Sequence, residues 1–151
     1  MRAPTLAIIS ASLLFTGPAQ AMPIQVFDRM STHDQGDYIG VMISGAEQVL
    51  TEEGKADQVA QIKKLFTTRQ RGDDNTIGMV ELELNLAALS KADADNLVKN
   101  PNARPLAVEL AMIATLKANG IILPRNFMRV GDNFKPKDPP SPGRTAPPPL
   151  R

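Results

Sequence analysis

The chain has 151 residues, no cysteine and a single histidine, with 17 Lys plus Arg against 16 Asp plus Glu. The missing cysteines exclude disulfides, thiolate metal sites and a lipid anchor on a cleavage-site cysteine. A near-neutral charge, no long basic block and only five Phe and one Tyr as aromatics argue against nucleic acid as a partner.

The first segment, residues 1–21, reads as a signal peptide. Arg2 gives a basic start, Leu6 to Phe15 is apolar, Gly17 and Pro18 break the run, and Ala19-Gln20-Ala21 is a small-x-small cleavage signal. The apolar run is about half of the roughly 20 residues a spanning helix needs. The expected mature chain starts at Met22, in the periplasm or outside the cell, with no membrane insertion after cleavage. Losing Arg2 takes Lys plus Arg from 17 to 16, so the mature chain is formally neutral against 16 acids.

Residues 22–134 carry the periodicity of helices, and the expected fold is all-α: a small compact helical bundle with a buried C-terminal helix. "STHDQGD" predicts a helix start, with Ser31 or Thr32 as cap and acids favoured by the helix dipole. His33 beside Asp34 and Asp37 is too small a ligand set to predict a metal.

The next stretch, from Gln35 to Gly54, places Tyr38, Ile39, Met42, Ile43, Ala46, Val49 and Leu50 on one arc of a helical wheel. Gly45 falls just outside the edge of that arc beside Tyr38, where it lets a neighbouring backbone come close or makes room for the Tyr38 ring. Gly36, Gly40 and Ser44 form a separate strip of small residues. A mid-helix glycine costs about 0.5–1 kcal/mol relative to alanine, so the strip predicts something lying close against it. Either a second helix of the domain covers it, or an outside partner does, or the glycines are simply tolerated, or the helix begins after Gly36. Gly36, Gly40 and Ser44, with Glu47 one turn further on, are the candidate partner-binding residues.

Val59, Ile62 and Phe66 predict a second helix, and "TEEGKAD" and "RQRGDDNT" predict turns, the latter with Asn75 as the next N-cap. "IGMVELELNLAAL" alternates as a strand would, but its Glu, Leu and Ala content favours a helix with two apolar faces. Ser90 and Asp93 read as a capping box. Asn100 before Pro101 ends that region. "RPLAVELAMIATLKANG" is apolar on most faces, which predicts a central buried helix with Leu106, Leu110 and Ile113 on one side and Val108, Met112 and Leu116 on another. Gly120 is placed to end it, with Ile121 in the accompanying apolar contact.

The third segment, residues 135–151, holds seven of the 13 prolines and almost no apolar side chain. It reads as a disordered Pro-rich tail of polyproline-II character.

No catalytic constellation emerges. No serine sits in a nucleophile elbow, no loop matches an EF-hand or a phosphate cradle, and no pair among 16 acids is singled out by spacing. No cofactor and no metal are expected. The leading expectation is a non-enzymatic exported protein that binds another protein of the cell envelope. An envelope stress chaperone and a cell-wall-acting enzyme are the alternatives.

"YIGVMISGAEQVL", then "DNTIGMVELELNLA", then "NPNARPLAVELAMIATLKANGI" resembles the layout of the Tai family of type VI secretion immunity proteins. That resemblance implies a small periplasmic helical protein that binds and blocks a toxic peptidoglycan amidase. The cysteine pair usual in that family is missing here, and no residue role is carried over from it.

Overall fold

The computed structural model describes residues 21–69, 71–72 and 74–140. The signal-peptide expectation for residues 1–20 and the end of the Pro-rich segment, 141–151, lie outside the described residues. Among the described residues, five α-helices and one 3-10 helix follow in order: α1 (Ile24–Asp28), α2 (Thr32–Glu52), α3 (Ala56–Leu65), α4 (Ile77–Lys99), α5 (Glu109–Ala118) and the 3-10 helix Arg125–Arg129. The described residues form no sheet, and the fold is a small all-α bundle. No described helix is long and apolar enough to cross a membrane.

Local chemistry sets the helix ends. Ser31 caps α2, its Oγ accepting from the Asp34 N–H at 3.0 Å. At the other end, Gly54 (φ 75°) turns the chain. The Lys55 N–H reaches the Leu50 carbonyl and the Gly54 N–H reaches that of Thr51, the paired bonds of a Schellman motif. α5 ends the same way: Gly120 has φ 80°, the Ile121 N–H donates to the Leu116 carbonyl, and Ile121 is buried. The N-cap of α4 is Thr76 rather than Asn75, because the Thr76 hydroxyl is the one that accepts from the Met79 N–H. The strand-like stretch from Ile77 onward is helical, as its propensities favour.

The helices form two groups. α2 packs on α3 and the 3-10 helix, while α4 packs on α5 and α1. One core joins them, with Tyr38, Met42, Ala46 and Leu50 of α2, Ile62 of α3, Leu82 of α4 and Met112 and Leu116 of α5 fully buried. Residues 22–24 pair with 106–108: the Ile24 N–H donates to the Leu106 carbonyl and the Val108 N–H to the Met22 carbonyl, each at 2.8 Å.

Several expectations are corrected. Ser90 and Asp93 do not start a helix, because α4 runs unbroken through them to Lys99. Instead they tie α4 to other segments. Ser90 Oγ donates to Asp28, and the buried Asp93 carboxylate accepts from the Gln25 amide and the Leu106 N–H. α5 is shorter than its apolar run, since Leu106 and Ala107 are spent on the pairing with the N-terminal segment. Its buried face is Val108, Ala111, Met112, Thr115 and Leu116, and Leu110 is 38% exposed. Leu110 therefore lies outside the core where the sequence pattern put it.

The Pro-rich segment is also less detached than its composition suggests. The N–H groups of Lys137 and Asp138 donate to the two carboxylate oxygens of Asp34, at 3.0 and 2.9 Å. Ser31 Oγ donates to Asp138 at 2.8 Å. The start of that segment is thus held against the first turn of α2.

Candidate functional site

The strip of small residues on α2 is the sequence-predicted site, and the structure leaves it open. Gly36, Gly40 and Ser44 are exposed. A Cβ built on Gly36 or Gly40 would meet nothing within 4 Å outside the helix's own backbone. The internal helix expected to lie on this strip is therefore absent among the described residues, and neither glycine is needed for space inside the fold. Glu47 sits apart from the other three in character: it is half-buried, with Lys63 of α3 at 3.8 Å. It braces α2 against α3, so the structure does not group it with the open strip. Gly45 behaves differently again. It is buried, and a Cβ there would overlap the Val130 side chain. The close neighbour expected at this position is real, but it is a valine from the end of the 3-10 helix, not a backbone or the Tyr38 ring.

Beside the strip, an open groove of about 820 Å³ runs between the two helix groups. Phe27, Ile39, Leu86, Ala87 and Ala94 give it an apolar lining, while Asp28, Arg29, Glu83, Lys91 and Asp95 supply charges of both signs. Thr32 and Ile39 of α2 line it. At about 100° per residue, Gly36 lies roughly 40–60° around the helix from both, while Gly40 and Ser44 turn progressively away, so the groove adjoins the strip at its Gly36 end. Sequence reasoning missed this groove, because its lining comes from α1, α2 and α4, which lie far apart in the chain.

His33 does meet carboxylates: its Nδ1 lies 3.9 Å from Asp34, 3.7 Å from Asp37 and 3.6 Å from Asp138. His33, Asp34 and Asp138 offer ligand atoms within 4.8 Å of one another. Their oxygens are already engaged, however. Asp34 accepts two backbone N–H bonds and Asp138 accepts from Ser31. The Lys137 N–H, followed by that of Asp138, holds the Asp34 carboxyl below its ordinary range. The arrangement is explained as a clasp for the chain.

The most unusual electrostatics lie in the core. Glu109, the first residue of α5, is fully buried. One carboxylate oxygen accepts a hydrogen bond from the Tyr38 hydroxyl, and the other accepts from the Met22 N–H at 3.1 Å. Burial raises the Glu109 pKa, the charge of Asp132 adds to the rise, and the Tyr38 hydrogen bond opposes it. Burial, then the neighbouring Glu109, likewise pushes the Tyr38 hydroxyl well above its ordinary range. At neutral pH Tyr38 is therefore a donor throughout. Its ring is held edge-on by Phe27 at 6.2 Å and Phe134 at 4.9 Å between centroids. A lone acid inside "LAVELAMIATL" and the chain's only tyrosine were the available sequence signals for this pair.

Neither a family model, nor a curated protein, nor a solved structure matches the chain.

Proposed function

We propose that this chain is an exported helical module of the cell envelope that works by holding another protein, without catalysing a reaction. The contact surface is the Gly36–Gly40–Ser44 strip together with the groove beside it. One observation carries this reading: two glycines sit in the body of a 21-residue helix, and among the described residues no neighbouring segment uses the space they leave. Each costs about 0.5–1 kcal/mol of helix stability relative to alanine. A bare backbone strip lets a helix of another protein approach closely, as small-residue strips do between membrane helices. The adjacent groove offers an apolar lining for that helix's side chains and charges of both signs around it. The leader-like start of the chain supports export. The resemblance to the Tai immunity proteins implies a cell-wall amidase as the partner.

The test is a photo-crosslinking amino acid at Ser44 in the chain expressed at native level, with Thr67, exposed and outside the strip, as the control position. A defined adduct is expected from position 44 and not from 67. It should be lost in Gly40→Leu and kept in Gly40→Ala. Equal adducts from both positions, or none from position 44, would remove the reading.

A further inference from the structure

The Met22 N–H points at a buried carboxylate, and Met22 is also the residue that follows the small-x-small cleavage signal. We propose that cleavage of the Ala21–Met22 bond turns this N–H into an α-ammonium group that forms an ion pair with Glu109, so that processing itself locks the N-terminal segment onto α5. The proposal rests on the export reading above.

The chemistry is a peptide-bond hydrolysis by an endopeptidase. Water gives its hydroxyl to the Ala21 carbonyl carbon and a proton to the Met22 nitrogen. At neutral pH the new carboxyl loses its proton and the new amine holds one. The nitrogen is already 3.1 Å from Glu109 Oε1, so no rearrangement is required. Flanking backbone bonds hold it there: the Val108 N–H donates to the Met22 carbonyl, and the Ile24 N–H to the Leu106 carbonyl.

The charge inventory favours the pair. Glu109 faces the Tyr38 hydroxyl from α2, Asp132 from the segment after the 3-10 helix, and Met22 from the N-terminal segment. None of the described ion pairs includes Glu109. While Met22 carries a peptide N–H, a fully buried carboxylate has no cation paired with it among the described residues, an expensive arrangement. The α-ammonium supplies the missing charge and a charge-assisted hydrogen bond in the same place. Met22 is only partly buried, which leaves water for the remaining ammonium protons.

The sign of the pH dependence follows. A free α-amine titrates at about 7.7–8.0, and a carboxylate partner raises that value in the folded chain. The stabilisation is complete below the unfolded amine value and fades as pH rises through the folded one. On the acid side it fades when Glu109 takes up a proton.

The full chain exported by its host is first weighed by mass spectrometry, and a start at Met22 is expected. A retained leader would overturn both the export reading and this inference, whereas a cleaved chain starting at another residue would overturn this inference alone. The chain starting at Met22 is then compared with one starting at Ala21, which keeps a peptide N–H at Met22 and moves the free amine away. The Met22 chain should melt several degrees higher near pH 7, and the gap should vanish in Glu109→Gln. Labelling of the Met22 α-amine by an acylating reagent should also be about tenfold slower in the folded chain than in denaturant, following a raised amine pKa of about one unit. Equal melting of the two chains together with equal labelling rates would overturn the pairing while leaving the export reading intact. The labelling comparison needs only the unmutated chain, so it stands if Glu109→Gln fails to fold.

Discussion

Tyr38 and Glu109 concentrate the consequences of a single atom. Removing the hydroxyl in Tyr38→Phe leaves one oxygen of a buried carboxylate without its donor. Such a loss costs about 1–3 kcal/mol, and a urea titration of the variant measures it. In any form of the chain where Met22 carries a peptide N–H, the raised Glu109 pKa means the folded state holds that proton more tightly than the unfolded chain. Stability then falls as pH rises from about 4.3, the unfolded value, through the raised one. Glu109→Gln should flatten that slope in the same titration repeated between about pH 4 and 8. The core leucines separate just as sharply. Leu116→Ala empties a fully buried site and should cost about 2–5 kcal/mol, whereas Leu110→Ala, at a position 38% exposed, should cost under about 1 kcal/mol. Circular-dichroism melts of the two side by side check this, and equal losses would place the core on the other face of α5.

At the scale of elements, α2 holds glycines with opposite roles. Gly40→Ala adds a methyl group into open space and should stabilise the chain by about 0.5–1 kcal/mol. Gly45→Ala drives a methyl group into Val130 and should destabilise it by about 1–3 kcal/mol. Differential scanning calorimetry of the two variants should show shifts of opposite sign. Much of this helix was legible in the sequence, because a 3.6-residue period, a serine cap and a closing glycine act within a few residues of one another. So were the helical nature of α4 and the Gly120 ending of α5. The five-residue α1, the roles of Ser90 and Asp93 and the burial of Glu109 were not. Each depends on a partner far away in the chain: Asp28 for Ser90, Gln25 for Asp93, Met22 for Glu109. The apolar run in α5 misled for a related reason. Local pattern gives a helix's apolar faces, but only the neighbours decide which face is covered. The candidate strip was legible as a row of small residues, while the groove beside it is assembled from α1, α2 and α4, segments far apart in the chain.

At the scale of the whole molecule, two polar closures do work that cysteines do in many exported domains. Met22 with Glu109 fastens the first residues, and Asp34 with Lys137 and Asp138 fastens the last described ones. Ending the chain after Phe134 should therefore lower its melting temperature relative to ending it after Pro140, although the six residues removed carry no large apolar side chain. Asp34→Asn should produce a loss of the same sign. Because the folded Asp34 pKa is depressed, its contribution is present above the unfolded value of about 3.9 and disappears as pH falls through the folded one. The position of these clasps also orders events in time. The face of α2 that carries Gly45, Tyr38 and Asp34 is covered by Val130, Gly131, Phe134, Lys137 and Asp138, all much later in the chain and so later to leave the ribosome. Until they emerge, the longest apolar face of the N-terminal half has no lid, and long-range closures of this kind form late. A nascent chain halted before Phe127 should stay open to proteases, which is the state a polypeptide must keep if it is to be threaded through a narrow translocation channel.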